Sequence, residues 1–280
     1  MSNSAQSVKD KLKNISREKN VDFNSVMRFY MYDRFVERLS KSKYKDNFIL
    51  KGGFYLSKLF GLDNRSTMDI DTAIRKTEFT EENLIVMINE IISIDVGDNV
   101  KFKIEKTELI REEDEYGGLR ITINFMLENI KDKFHIDLAT GDPIYPRPDN
   151  YKYESLIGDE IYKVWSYNLE TILAEKIETI LSKLETSSRM KDYYDIYLIY
   201  KFKFDTINKE KFRGSVEKTF KKRKFDADLM TNLSIVKESK VLRERWLSYS
   251  RKNSYARDVE FEETLECLKK LIDILILHVI

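Results

Sequence analysis

The chain has 280 residues and a net charge of +1, with 42% hydrophobic and 35% charged residues but only 9 glycines and 3 prolines. This composition excludes a disordered chain and predicts a folded, helix-rich protein of one large or two modest domains. The single cysteine excludes an intrachain disulfide framework, and the N-terminal residues lack the apolar core of a secretory signal. The apolar tail at 271–280 is too short to span a bilayer. We therefore expect a cytoplasmic protein.

The first half of the chain predicts a mixture of helices and strands. Apolar residues at helical spacing predict a helix over 22–46, and the apolar triplet at 48–50 predicts a short buried element that leads into two glycines. Further helices are predicted at 54–61 and 81–94, and strands at 68–74, 100–109, 119–127 and 133–139, with turns at Gly117-Gly118 and over 129–133.

All three prolines lie within Asp142–Pro148, which is the best candidate for a domain boundary. After an extended piece around 151–163, strong helical patterns follow at 168–186 and 189–202, with three or four more helices to the end. The order predicts an α+β fold with two domains, a mixed α/β domain over 1–148 with N-terminal helices and a helical domain over 149–280.

Two glycines and two aspartates form the most informative motif, KGGFYLSKLFGLDNRSTMDIDTAI. Gly52 and Gly53 precede a predicted helix, and backbone N–H groups at a helix N-terminus bind phosphate. Asp69 and Asp71 lie in a segment that alternates like a strand, so they share a face. Asp-x-Asp alone is common on solvated strands, but beside the glycines it predicts a site for a triphosphate and for Mg²⁺, which prefers oxygen ligands.

A third carboxylate, Asp137, lies in the strand-like segment FHIDL. Phe134, Ile136 and Leu138 alternate with it, so Asp137 faces away from the core together with His135. This parity predicts that Asp137 lies beside Asp69 and Asp71 in the sheet. His135 is expected to have a structural or supporting role.

The second half contains a cluster of charges on two predicted helices. Lys176 lies at the edge of an apolar stripe, where a lysine can reach over to neutralise a triphosphate, and Asp192 and Asp195 lie one helical turn apart. The alternative is that Lys176, Arg189 and Lys191 pair with these aspartates in a structural ion network between the helices.

The charges are unevenly distributed. Residues 201–250 carry 14 Lys and Arg against 7 Asp and Glu, whereas residues 51–200 carry 19 against 29. An acidic middle flanked by basic segments suits a metal enzyme that acts on a polyanion, although solvated helix faces give the same pattern. The candidate RNA-binding cations are Lys218, Lys221, Lys222, Arg223, Lys224, Arg243, Arg245 and Arg251, interleaved with the aromatic residues Phe220, Phe225, Trp246 and Tyr249, most of which we expect in the core.

Five segments occur in order between about 48 and 200: KGGFYL, RSTMDID, FHIDLA, LAEKIETILS and RMKDYYDIYLI. Together they resemble the AbiEii-type nucleotidyltransferases, the toxins of type IV toxin–antitoxin and abortive-infection systems, within the DNA polymerase β-like nucleotidyltransferase superfamily. The resemblance implies a nucleotidyltransferase-like mixed sheet with flanking helices, followed by an all-α C-terminal domain. The last 80 residues resemble the family only in being helical.

The resemblance also implies roles for individual residues. Phe54 follows Gly53 where the wider superfamily often has a serine, and Arg65, Ser66 or Thr67 is expected to compensate. The implied catalytic residues are Asp69, Asp71, Lys176 and Asp192, with Asp195 as the alternative to Asp192; the implied phosphate-binding residues are Gly52, Gly53, Arg65, Ser66, Thr67 and Lys176; the implied metal ligands are Asp69, Asp71 and Asp137.

The expected reaction is metal-dependent transfer of NMP from an NTP to an RNA acceptor. Two Mg²⁺ or Mn²⁺ ions would activate a 3′-hydroxyl of the RNA and hold the triphosphate, with release of pyrophosphate. The resemblance implies the tRNA 3′ end as the acceptor, growth inhibition during phage infection as the outcome, a cognate antitoxin as partner and no membrane. Two alternatives stay open: nucleotidylation of a protein or small molecule, and a non-catalytic nucleotide-binding interaction module.

Overall fold

The computed structural model describes residues 5–110 and 117–276, which form two compact units. The first unit contains the chain up to Gly141 together with Asp149–Ser166, and the second contains Asp142–Pro148 together with the chain from Tyr167 onwards. In the described part of the chain, no helix is long and apolar enough to cross a membrane. The last four residues of the apolar tail lie outside the described residues.

The first unit begins with helices α1 (Ala5–Lys19) and α2 (Phe23–Lys41). Asp22 caps α2, since its side chain accepts a hydrogen bond from the Ser25 N–H, which satisfies one of the free donors at the helix start. The other elements of this unit are β1 (Phe48–Leu50), α3 (Gly52–Phe60), β2 (Asp69–Ile74), α4 (Glu81–Ile92), β3 (Val100–Ile110), β4 (Gly118–Leu127), β5 (Ile130–Ala139), β6 (Asp149–Glu154) and β7 (Ile161–Ser166).

The seven strands form one mixed sheet in the order β3-β4-β5-β2-β1-β7-β6. Strands β2 and β5 are parallel neighbours, as are β1 and β7, whereas the other adjacent pairs are antiparallel. The core face of β4 and β5 is fully apolar, with Ile121, Ile123, Phe134, Ile136 and Leu138 all buried. The opposite side chains of β2 and β5 therefore lie on the other face, where the candidate carboxylates are found.

The second unit is helical, as the sequence predicts. Its helices are α5 (Leu169–Lys183), α6 (Met190–Lys203), α7 (Lys209–Lys222), α8 (Leu229–Glu238), α9 (Lys240–Lys252) and α10 (Phe261–Ile276). Polar side chains cap four of them, since Asn168, Asn208, Asp228 and Ser239 each accept a hydrogen bond from the backbone N–H three residues later. Trp246 is buried in this unit and is not a free stacking surface. Phe220, Phe225 and Tyr249 are only half-buried, so the expectation that most of these aromatic residues belong to the core holds for Trp246 alone.

The structure divides the chain differently from the predicted division at 148/149. Strand β7 pairs in parallel with β1 and in antiparallel with β6, so the segment Asp149–Ser166 completes the sheet of the first unit. The proline-containing segment Asp142–Pro148 packs with the second unit, because Asn168 donates hydrogen bonds to the backbone carbonyls of Tyr145 and Arg147. The chain therefore passes between the units three times.

Candidate active site

The glycine turn brings helix α3 against strand β2. Gly52 has φ +59°, a conformation that side chains with a Cβ rarely adopt, and a Cβ added there would lie 2.6 Å from Asp71 Oδ2. The Gly53 N–H donates a hydrogen bond to the same oxygen over 3.1 Å. Glycine is thus required at position 52 both for the backbone conformation and for the close approach of the carboxylate.

Arg65 and Thr67 line the other side of the turn. A Cβ added at Gly53 would lie 2.9 Å from Arg65 Nη2 and 3.3 Å from Thr67 Oγ1, so both side chains are packed against the start of α3. Arg65 is buried, and its Nη1 donates to the backbone carbonyl of Ser66, while Thr67 Oγ1 donates to the carbonyl of Asp69. The predicted phosphate-binding residues of this unit are therefore neighbours in the structure.

The predicted position of the third carboxylate is confirmed. In the parallel pairing of β2 and β5, Asp71 lies opposite Asp137 and Asp69 lies opposite His135. His135 Nδ1 is 3.1 Å from Thr122 Oγ1 on β4, a contact that orients the ring beside Asp69. Asp69, Asp71 and Asp137 consequently share one face of two adjacent strands.

Arg120 on β4 belongs to the same face, and the sequence analysis missed it. It lies directly opposite Asp137 in the antiparallel pairing of β4 and β5. Its Nε and Nη2 donate to the two oxygens of Asp137, each over 2.7 Å, and Nη2 is also 3.4 Å from Asp69 Oδ2. The hydrogen bonds with Asp137 raise the pKa of Arg120, so the guanidinium remains charged.

The face carries an excess of negative charge. Three carboxylates surround one guanidinium, and the side chains of Asp69 and Arg120 are 28% and 32% exposed. Burial raises the pKa of Asp69, and the charge of Asp137 raises it further against the opposing effect of Arg120. An added cation would relieve this repulsion.

Lys176, Asp192 and Asp195 meet in the second unit. Lys176 Nζ on α5 lies 2.7 Å from Asp192 Oδ1 and 2.7 Å from Asp195 Oδ2 on α6, and all three side chains are at least nine-tenths buried. Arg189 Nε adds a contact of 2.7 Å to Asp192. Burial alone would raise the pKa of Asp192, but Lys176 and Arg189 outweigh it and hold the pKa below its ordinary value. This geometry matches the structural ion network between two helices, which was the alternative interpretation of the sequence. The network includes Arg189 but does not include Lys191.

Three of the candidate RNA-binding cations are held by groups of the second unit. Arg223 pairs with Glu178 over 2.7 Å and with Asp142 over 3.2 Å. Arg243 pairs with Glu262, and Arg245 donates to the backbone carbonyls of Glu185 and Ser187. These three arginines therefore already contact carboxylates or backbone carbonyls of the second unit; the exposed members of the set are Lys218, Lys221, Lys224 and Arg251.

Comparison with known proteins identifies one family. Residues 34–267 match the model of the family described as nucleotidyl transferase AbiEii toxin, type IV TA system. Comparison with curated proteins finds no match.

Two solved structures are similar to this chain. One is JHP933 from Helicobacter pylori, with 15% identity, 88% of each chain covered and a TM-score of 0.51. The other is described as a candidate nucleotidyltransferase from H. pylori, with 15% identity, 91% of this chain and 96% of that chain covered and a TM-score of 0.48. The first likeness concerns the fold alone.

Proposed function

Because the chain belongs to the AbiEii family of nucleotidyl transferase toxins of type IV toxin–antitoxin systems, we propose that it transfers NMP from an NTP to the 3′ end of an RNA, with tRNA as the acceptor. The family makes the chain a nucleotidyltransferase toxin and implies an NTP substrate, a divalent metal and a cognate antitoxin. The RNA acceptor, the choice of Mg²⁺, a cytoplasmic location and a role in abortive infection are parts of the proposal.

The observation that carries the proposal is the contact between the glycine turn and the strand carboxylates. Asp71 accepts the Gly53 N–H, so the phosphate-binding end of α3 and the carboxylate face lie within one hydrogen bond of each other. A triphosphate on N–H groups of α3 other than that of Gly53 would thus have its oxygens beside Asp69 and Asp71. Arg65, buried against Gly53, would offset part of the triphosphate charge.

Two of the three predicted metal ligands on this face have the chemistry to bind a divalent cation. Asp69 and Asp71 supply carboxylate oxygens from one strand face, the ligand type that Mg²⁺ and Mn²⁺ prefer. Within 5–110 and 117–276 no group of three His, Cys, Asp or Glu residues is arranged to hold a metal. At the carboxylate face, both oxygens of Asp137 accept hydrogen bonds from Arg120. A bound cation would lower the pKa of the attacking hydroxyl and offset charge on the leaving pyrophosphate.

The protein's own contribution to the reaction is positioning and charge neutralisation. Asp71 fixes the start of α3 relative to β2, and Thr67 and Arg65 hold the connecting segment in place. Lys176 and Asp192 remain the proposed catalytic residues of the second unit, with Lys176 as a phosphate contact. In the described structure the Lys176 ammonium is already held by Asp192 and Asp195, so this role requires one of these contacts to be exchanged for a phosphate oxygen.

The exposed lysines of α7 and the loop after it support an RNA acceptor. Lys218, Lys221 and Lys224 are exposed cations on one short segment. Replacing all three by Gln should weaken tRNA binding and reduce the slope of log K against log salt by about 2–3, since each phosphate contact contributes about 0.7–0.9. A matched control is the Gln triple of Lys101, Lys103 and Lys106, exposed lysines on β3 of the first unit. Equal effects of the two triples would exclude the α7 segment as the RNA site.

The test of the activity is incubation of the purified protein with Mg²⁺, each α-³²P-labelled NTP separately and total tRNA, resolved on a denaturing gel. Label in tRNA that is lost in Asp69→Asn and retained in Asp159→Asn, an exposed aspartate of the same unit, is the expected result. Label in protein would replace the RNA proposal by protein nucleotidylation. No label with any NTP would contradict the proposed reaction.

A further inference from the structure

The pairing of Arg120 with Asp137 changes what the carboxylate face can bind. The register of β4 and β5 places the two residues opposite each other, and the two-residue connection at Glu128 and Asn129 fixes that register, because Leu127 already pairs with Ile130. Arg120 then reaches Asp137 with two parallel N–H···O bonds of 2.7 Å. This fork is the strongest geometry available to an arginine and a carboxylate.

The fork takes one acceptor site on each oxygen of Asp137 and places a positive charge against both, which disfavours Asp137 as a bridge between two metal ions. Both of its oxygens accept from Arg120, and its side chain is only 16% exposed. Nη2 of the same guanidinium also lies 3.4 Å from Asp69 Oδ2, between the two carboxylates. A divalent cation shared by Asp69 and Asp137 would have to occupy the space of this positive charge.

One nitrogen of Arg120 is used by neither carboxylate. Nη1 makes no hydrogen bond to any residue that the structure describes, and a third of the side chain is exposed. A guanidinium held at Asp137 through Nε and Nη2 can therefore offer Nη1 to an oxyanion without losing its anchor. Phosphate and carboxylate are the oxyanions that arginine binds most strongly, and phosphate is the one that an NTP supplies.

We propose that Arg120 takes the place of a second metal ion: the chain binds one divalent cation, on Asp69 and Asp71, and Arg120 anchored on Asp137 contacts a phosphate of the NTP. The proposal rests on the proposed nucleotide transfer for the identity of the phosphate ligand. Asp137 then acts as a positioning residue for Arg120 and is not a metal ligand. The net charge of the face, three carboxylates and one guanidinium, is balanced by one divalent cation.

The test counts bound Mn²⁺ by electron paramagnetic resonance and calorimetry, with no RNA and no NTP. The wild-type chain should bind one ion. Asp137→Asn should keep one ion with its affinity changed by less than about threefold, whereas Asp69→Asn should weaken binding by more than about tenfold. Two ions in the wild type, no ion in the wild type, or an equal loss in both variants would each overturn the proposal.

Arg120→Gln frees Asp137 and should allow a second Mn²⁺ to bind. Lys133→Gln is the matched control, because it removes one exposed positive charge from β5 without touching Asp137, and it should still bind one ion. The double variant Arg120→Gln/Asp137→Asn removes both members of the pair, so it avoids an uncompensated carboxylate and should again bind one ion. A single ion in Arg120→Gln would contradict the displacement of a metal by Arg120.

The phosphate contact is tested separately with inorganic triphosphate in the presence of Mn²⁺. The double variant keeps the ion count of the wild type but lacks the guanidinium, so its affinity for triphosphate should fall by about tenfold or more, the effect of losing one charge-assisted hydrogen bond. Unchanged affinity would overturn this part of the proposal. None of these measurements needs an acceptor, so failure of the RNA transfer assay would leave the metal count intact, and failure of the metal count would leave the transfer assay intact.

Discussion

The two charged clusters of this chain contain similar groups in opposite balance. In the first unit, Asp69, Asp71 and Asp137 outnumber Arg120, and the cluster is partly exposed on a sheet face. In the second unit, Lys176 and Arg189 neutralise Asp192 and Asp195, and the lysine and both aspartates are buried. The first cluster needs a cation from outside and is suited to binding, whereas the second is complete and is suited to holding α5 and α6 together.

The largest expected effect is on activity, at the cluster with excess charge. Asp71→Asn should reduce nucleotide transfer by about 10²–10³-fold or more, because it removes a proposed cation ligand beside the proposed phosphate-binding turn. Its thermal unfolding should be little changed, since Asn can still accept the Gly53 N–H. Retention of more than a tenth of the wild-type rate, measured with labelled NTP, would remove Asp71 from the site.

The next largest effect is on stability, at the balanced cluster. Lys176→Met leaves Asp192 and Asp195 without their shared buried partner, so the free energy of unfolding should fall by about 3–5 kcal/mol in urea titrations. Lys183→Met, an exposed lysine at the end of the same helix, is the control and should cost little. A small loss of stability with a complete loss of activity would mean that Lys176 acts on the substrate alone and does not hold α5 and α6 together.

The pH dependence of the wild type follows from the same pairing. The pKa of Asp192 is depressed, so its contribution to stability is present above 3.8 and is lost as the pH falls through the folded-state pKa. Burial would lower the pKa of Lys176, but Asp192 and Asp195 raise it, so its contribution is present below 10.5 and is lost as the pH rises through the folded-state pKa. The free energy of unfolding measured from pH 2 to 11 should therefore be highest between these two limits and fall at both ends. The Lys176→Met variant should lack this dependence.

A smaller effect is expected at the glycine turn. Gly52→Ala should lose stability both from the left-handed φ and from the clash of the new Cβ with Asp71. Gly97→Ala is the control, because Gly97 has φ +71° but open space where the Cβ would lie. The control should cost about 1–2 kcal/mol, the ordinary penalty for that conformation, and Gly52→Ala should cost more and also reduce transfer. Equal losses of stability and equal activities would show that the approach of Asp71 to the turn is unimportant.

The smallest effect concerns the protonation of Asp69. Its pKa is raised by burial and by Asp137, so ionisation of Asp69 opposes folding as the pH rises above 3.8 through the folded-state value. Asp69→Asn should therefore increase stability at pH 7 by about 1 kcal/mol or less, and the gain should vanish at low pH. A decrease at pH 7 would mean that the negative charge of Asp69 is satisfied without an external cation.

The sequence predicts the positions of the carboxylates because strand alternation is a local property. Asp69 and Asp71 needed only a period of two, and the parity of Asp137 followed from its apolar neighbours. Arg120 was missed because its place depends on the register of β4 against β5, and the longer turn predicted over 129–133 leaves that register open. A two-residue turn at Glu128 and Asn129 would have put Arg120 opposite Asp137 from the sequence alone.

The basic segment 201–250 shows what composition alone does not predict. A count of Lys and Arg over 201–250 does not distinguish cations in water from cations that hold carboxylates or backbone carbonyls. Arg223, Arg243 and Arg245 are used inside the second unit, because arginine forms such contacts with several donors at once. The lysines of the same segment are mostly exposed. Whether a cation is lysine or arginine therefore indicates its exposure better than the number of cations does.

The return of the chain to the sheet through β6 and β7 affects when the sheet can fold during synthesis. The carboxylates are all synthesised by position 137, but the sheet lacks two strands until Ser166 has left the ribosome. By then the segment Asp142–Pro148, which packs with the second unit, has already been made and waits for helices that come later. A nascent chain therefore carries its carboxylates well before it can fold around them, and any single cut in the backbone that keeps one unit whole also carries away a segment of the other.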